Sequence, residues 1–336
     1  MRRSIPLLTI VPLLLWTTLW RSPSPGESSS EHADIAVTRQ ALPPARTLGA
    51  YLGPFRMEGA WQLKSANAMV FGYSALIPRP NGRLLAFNDS GGVLSFAPPG
   101  APPIRPVAKW LTLNQKERSK AGQDVESVAR DPATGQYWLG LESTNRIVRL
   151  SPDLVETGRV TPKGMSGWGV NTGAEAMTRL PDGRFVAIRE VTPSWSEARQ
   201  HDALLFSGDP IEHPDARPFR FDGPDNFSVV DMAMLPDGRA LILMRRLLWP
   251  APMRFAGRIV IADTARIRPG GVWHSAPLAW LASVLPVDNF EAIAVVPRGD
   301  GRLTVWVMSD DNKMRVLQRT LLWKLSVDPA KLPWPK

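Results

Sequence analysis

The sequence predicts an all-β chain, folded as a single β-propeller of five or six four-stranded blades, and three observations carry that prediction. Thirty-three prolines and 26 glycines are spread along the 336 residues rather than gathered in one tract, so turns cut the chain into many short elements. One pattern, an apolar strand, a Pro/Asp/Gly turn and a second apolar strand, recurs five times. Helical periodicity is scarce, and "QKERSKAGQDVES" (115–127) reads as a loop.

Taken in order, the chain opens with Arg2 and Arg3 ahead of an apolar run from Ile5 to Trp20 and a Ser/Pro-rich stretch. This is the layout of an export signal. Pro6 and Pro12 interrupt the run, which is shorter than the roughly 20 residues that span a membrane comfortably, and no A-x-A site follows it. Residues 1–22 therefore read as a signal peptide or an N-terminal membrane anchor, with residues 5–20 as an inner-membrane tether in the second case. Residues 23–45 read as a linker, and residues 46–330 as the propeller domain.

The copies are "YSALIPRPNGRLLAFND" (73–89), "VESVARDPATGQYWLGLE" (125–142), "AEAMTRLPDGRFVAIRE" (174–190), "VDMAMLPDGRALILMRR" (230–246) and "FEAIAVVPRGDGRLTVWVMSDD" (290–311). Their anchors, Ser74, Glu126, Glu175, Asp231 and Glu291, recur 49 to 60 residues apart, the spacing of propeller blades. Strand-like runs at 145–153, 203–208, 257–265 and 319–328 supply outer strands. A sixth blade can be assembled from residues 48–64 and the C-terminal strand, which would close the ring and remove exposed edges. Residues 191–224 read as a long excursion on the rim. Trp138 and Trp306 fall inside second strands and are expected between blades, whereas Trp168 and Trp195 lie in loops where they can meet a ligand.

A hairpin returns the chain to its starting edge, so acids at its two open ends converge. Glu175 meets Glu190, Glu126 meets Glu142, Ser74 meets Asp89, Asp231 meets Arg245, and Glu291 meets Asp310 and Asp311. In a propeller that edge is one mouth of the central channel. Like charges gathered there repel unless cations, arginines or protons neutralise them. Three readings follow: a Ca²⁺ site, since the donors are all oxygen; a structural ring paired to Arg130, Arg146, Arg189 and Arg245; or a general acid/base pair.

Other chemistries have less support. There is no cysteine, and His32, His201, His213 and His274 lack a zinc-motif spacing. "GMSGWG" (164–169) and "GYSAL" (72–76) are not the G-x-S-x-G elbow, which argues against Ser166 or Ser74 as nucleophile. The net charge of +9 comes from dispersed arginines without a basic helix or RNP-like strand, so no nucleic-acid partner is expected.

The motifs "FGYSALIPRPNGRLLAFNDSGG", "DVESVARDP", "NTGAEAMTRLPDGRFVAIRE", "VVDMAMLPDGRALIL" and "NFEAIAVVPRGDGRLTVWVMSDDNKMRVLQRTLL" resemble the phytase-like family, described as having esterase-like activity of phytase. The resemblance runs over roughly residues 46 to 328. It implies an exported bacterial propeller, periplasmic and monomeric, related in architecture to calcium-dependent propeller phytases, whose mouth carboxylates hold Ca²⁺. Carried onto this chain, Glu126, Glu175, Asp231 and Glu291 would be inner ligands, with Asp89, Glu142, Glu190 and Asp310 outer, and Asp311 matching as well. Glu126 and Glu175 would be catalytic, with Arg146, Arg245 and Lys313 contacting an anionic small-molecule ester. The fourth copy departs from the pattern: Arg245 and Arg246 stand where the others end in acids. The expected function is a Ca²⁺-dependent hydrolase of a phosphoester or carboxyl ester. A non-catalytic propeller binding a partner or an anionic envelope component is the alternative, and a lactonase-type metal hydrolase the third reading.

Overall fold

The computed structural model describes residues 30–113, 123–169, 172–190, 199–248, 254–314 and 317–335. The stretch read as signal or anchor, and Trp195, lie outside them. The chain begins with strand β1 (Ala36–Arg39), helix α1 (Ala45–Leu52) and strand β2 (Arg56–Lys64). Blade 1 follows as β3 (Tyr73–Pro78), β4 (Leu84–Asn88), β5 (Gly92–Phe96) and β6 (Val107–Trp110). Blade 2 comprises β7 (Val125–Arg130), β8 (Tyr137–Leu141), β9 (Arg146–Leu150) and β10 (Glu156–Val160). Blade 3 is β11 (Ala174–Arg179), β12 (Phe185–Arg189), β13 (Gln200–Phe206) and β14 (Arg217–Asp222). Blade 4 is β15 (Ser228–Met234), β16 (Arg239–Leu248) and β17 (Arg254–Asp263), then, past β18 (Val272–His274), β19 (Ala276–Leu281). Blade 5 is β20 (Asn289–Pro297), β21 (Leu303–Asp310) and β22 (Thr320–Val327), completed by β2.

The protein is thus a five-bladed propeller. Residues 56–64 and the C-terminal strand do pair, from Arg56 opposite Ser326 to Leu63 opposite Thr320, but they finish the fifth blade rather than making a sixth. The ring closes because the inner strands β3, β7, β11, β15 and β20 contact one another in turn and β20 returns to β3. Within the stretch read as a rim excursion, β13 and β14 are the outer strands of blade 3, with β18 added in parallel. Within the stretch read as a linker, β1 adds to the edge of β2, and α1 begins at its last residue.

Five apolar clusters fill the five interfaces between neighbouring blades. Strand alternation explains how one blade serves two of them. In β16, Ala240, Ile242 and Met244 join the core shared with blade 3, while Leu241 and Leu243 join the core shared with blade 5. Trp138 meets Phe185 edge-on at 4.8 Å in the core between blades 2 and 3. Trp168, expected at a ligand, is buried in that same core, so "GMSGWG" packs inward through Met165 and Trp168. Trp306 tilts against Trp61 at 6.4 Å in the core between blades 5 and 1.

Helix α1 lies on β19, the outer strand of blade 4, and buries Leu52 in the adjoining core. Its end requires Gly53, whose φ is +55° and whose missing Cβ leaves room for the Leu278 carbonyl. Covering an edge strand this way removes a site for unwanted pairing. Among the described residues, no helix is long and apolar enough to cross a membrane.

Candidate functional site

Each inner strand carries a β-bulge at its start, and the bulges define the site. The extra residue is Ser74 in β3, Glu126 in β7, Glu175 in β11, Val230 in β15 and Glu291 in β20. A bulge re-aims one side chain and is common beside functional sites. A second set of equivalent positions follows the end of each second strand. Asp89, Glu142 and Glu190 donate their backbone N–H groups to the carbonyls of Gly72, Asp124 and Gly173, at 2.9, 3.0 and 3.2 Å. In blades 4 and 5 the same places are taken by Arg245, opposite Ser228, and Asp310, opposite Asn289.

Asp231 departs from its expected place. The bulge falls on Val230, so Asp231 occupies the following position, and both carboxylate oxygens are engaged by backbone. Met232 N–H donates to Oδ1 and Ile293 N–H, on the neighbouring inner strand, to Oδ2, each at 2.7 Å. Ser127 holds the matching position in blade 2 and donates to the carbonyl of Ala174 on the next inner strand at 2.5 Å. This position ties blade to blade, and Asp231 does not face Arg245.

Blades 2 and 3 form a sector crowded with acid. Carboxylate oxygens of Asp124, Glu126 and Glu142 lie within 4.8 Å of one another, and so do those of Glu142, Glu175 and Glu190. Glu142 belongs to both triads. Its carboxyl is hydrogen-bonded to that of Glu175, an arrangement that requires a proton on one of the two when no cation is present. Burial first, then repulsion from neighbouring acids, pushes the Glu126 and Glu175 carboxyls well above the usual range. The repulsion on Glu126 includes Glu291 and Asp89 from other blades.

Blade 4, next to blade 3, adds a cation. The Arg245 guanidinium donates to Glu291, to Glu190 at 3.1 Å and to the Asn289 side-chain oxygen at 2.8 Å. Burial opposes its charge, but attraction to Glu291, Glu190 and Glu175 outweighs burial and raises its pKa. Burial still pushes Glu291 up to about 7 despite that partner. Of the other arginines proposed as counter-ions, Arg130 stands at the far end of β7 beside Tyr137, and Arg189 pairs with Asp202 at 3.3 Å. Arg146 begins β9 opposite Leu141, next to Glu142 in sequence.

The third sector joins blades 5 and 1. A Cβ on Gly72, whose φ is +63°, would lie 2.9 Å from the Asp89 carboxylate and 3.8 Å from that of Asp310, so glycine lets these acids approach. Burial and repulsion from Glu291 push Asp310 well up. Lys313 lies 4.2 Å over the Phe71 ring and donates to Ser90 Oγ at 3.1 Å, and Ser90 in turn donates to Asp89 at 2.9 Å. Asp311 is turned away, accepting from Lys313 N–H and Thr320 Oγ1, each at 3.1 Å.

Asp124 and Asn289 belong to the site but escaped the sequence reading. Both stand two residues before a bulged acid, in "DVES" and "NFEA", and that shared offset was the available signal.

Residues 69–313 match the model of the phytase-like family, described as esterase-like activity of phytase. A search of curated proteins found no match. Among solved structures, the chain is similar to the glutaminyl cyclase of Myxococcus xanthus, with 13% identity, 81% and 97% of the two chains covered and a TM-score of 0.45. It is also similar to a gluconolactonase from Xanthomonas campestris, with 14% identity, 90% and 99% covered and a TM-score of 0.41. A chain of a nidogen/laminin complex matches with 11% identity, 86% and 97% covered and a TM-score of 0.42.

Proposed function

The chain belongs to the phytase-like family, and from that premise we propose that it is an exported, Ca²⁺-dependent hydrolase of esters, phosphoesters before carboxyl esters, acting at the channel mouth. One observation carries this reading: two carboxylate triads share Glu142, and of their members Glu190, at the edge of the second triad, is the one that Arg245 clasps. The donor set fits a hard cation, because it is oxygen throughout, contains several anionic groups and is partly withdrawn from water. Asp124, Glu126, Glu142, Glu175 and Glu190 would hold the ion. When bound, such a cation stabilises negative charge on an ester oxygen and lowers the pKa of a water molecule.

The protein's own groups do the rest. Burial and repulsion from neighbouring acids hold the Glu142 and Glu175 carboxyls above their ordinary range in the ion's absence, so loading the site displaces protons and is favoured by rising pH. Arg245, clasped by Glu190 and Glu291, keeps that side of the mouth from adding further repulsion and fixes the orientation of both acids. Lys313, at the edge of the opening, offers its ammonium to an anionic substrate, with Phe71 and Ser90 setting its position.

The test is metal content together with turnover. Purified protein should contain a divalent ion, lose turnover of p-nitrophenyl phosphate or p-nitrophenyl acetate on chelation, and regain it with Ca²⁺. Glu142→Gln should weaken Ca²⁺ binding on the order of 10- to 100-fold, because it removes a donor from both triads. Full turnover in the chelated protein would refute the reading.

A further inference from the structure

A crevice of about 980 Å³ opens between blades 5 and 1, beside the mouth but separate from the carboxylate triads. Its lining reaches from Thr320, at the mouth-side end of β22, to Phe96, at the far end of β5, so it is long in the direction of the strands. The walls are largely apolar, with Ile35 and Leu63 on one side, Phe96, Pro103 and Ile104 on the other and Val70 between, and the charged residues Asp34, Lys64, Asp311 and Arg319 also line it. The segment from Ala33 to Val37 spans it, bonded at one end to blade 1 through Ala33 N–H and Pro106, and at the other to β2.

Two separate parts of the chain connect this crevice to the mouth. Val70 lines it, and Gly72, two residues on, lies against the carboxylates of Asp89 and Asp310. Asp311 lines it, and Asp310 is its neighbour. Lys313, two residues beyond Asp311, lies on the mouth side, held on the Phe71 ring with its ammonium reaching Ser90. A largely apolar crevice that leads to a mouth where Lys313 offers a cation matches a molecule with an anionic head and a hydrocarbon tail.

We infer that the crevice binds the alkyl chain of an amphiphilic anionic ester, whose head group lies between Lys313 and the carboxylate mouth. The inference rests on the ester reading of that mouth and narrows its substrate class, away from wholly polar polyphosphates. The largely apolar walls accept a chain, and Lys313 meets the anionic head beside the mouth.

Binding of n-butyl, n-hexyl and n-octyl phosphate to the full chain, measured by calorimetry below their micellar concentrations, tests this without requiring turnover. Affinity should rise on the order of 100-fold from butyl to octyl, about threefold to fourfold for each methylene withdrawn from water. Ala97→Trp and Ala66→Trp, which fill the crevice from two of its walls, should each remove most of that gain and leave butyl phosphate bound as before. Lys313→Met should weaken all three by a similar factor. Equal affinity across the series, or a chain-length gain that survives both tryptophans, overturns the inference, even if chelation still abolishes p-nitrophenyl phosphate turnover. A chain-length gain lost in both variants supports the crevice even if no turnover is found, in which case the ester reading fails by itself. A protein dimer in sedimentation that both tryptophans dissociate would assign the crevice to a second copy and overturn the inference.

Discussion

Blades 2 and 3, and blade 4 next to them, are built from the same repeat and end in opposite charge states. In the first sector Glu126, Glu142, Glu175 and Glu190 occupy all four equivalent positions and Asp124 adds a fifth carboxylate. In blade 4 those positions hold Val230 and Arg245. The backbone is the same in both, down to the bulge. The repeat supplies a scaffold of converging side chains, and side-chain identity alone decides whether a sector carries its own cation or is lined by carboxylates.

Replacing the cation should break the contrast most severely. Arg245→Met leaves Glu190 and Glu291 without their guanidinium and should destabilise the chelated protein by about 3 kcal/mol at pH 7, read by denaturant unfolding. Added Ca²⁺ should recover much of that loss, since the closed sector would now resemble the open one. No recovery would mean that carboxylate density alone does not make a cation site here.

A change of pH should sharpen the contrast next. Glu291 is raised from an ordinary carboxyl value to about 7, chiefly by burial, and Glu126, Glu175 and Asp310 are raised as well. Groups with a folded pKa above the unfolded one bind more protons in the folded state. The contribution of Glu291 is fully present below about pH 4.5 and is lost as pH rises through about 7. Chelated protein should therefore lose on the order of 2 kcal/mol between pH 5 and pH 8, a fall in Tm of roughly 5 °C. Ca²⁺ should flatten that slope by taking the place of the protons. A Tm that rises over this range without metal would show that the mouth is neutralised in some other way.

The smallest effect should come from Asp231, which stands next to the ring without belonging to it. Asp231→Ala removes the acceptor for Ile293 N–H between two inner strands and should cost about 2 kcal/mol. Metal content and the chelation response should stay as in the wild type. A lost ion in this variant would restore Asp231 to the metal site.

Asp231 also shows where sequence reading reaches its limit. Glu175 lies six residues before Pro181, and Val230 six before Pro236, so spacing from the turn identified the equivalent residue, whereas acidity pointed to its neighbour. A one-residue error on a strand sends the side chain to the opposite face. Glu126, Glu175 and Glu291 were legible because their acids and their bulges coincide. Asp124 and Asn289 were not, because they lie outside the apolar strand pattern and matter only once neighbouring blades bring other acids to them.

The strands, their turns and the convergence of acids at one edge of each hairpin follow from the sequence alone, since alternation and turn chemistry act between residues close along the chain. The number of blades, the pairing of Arg245 with Glu190 and Glu291, the burial of Trp168 and the crevice between blades 5 and 1 were decided only by the tertiary structure. Each depends on which strands become neighbours when the ring closes, and closure joins residues as distant in sequence as Leu63 and Thr320.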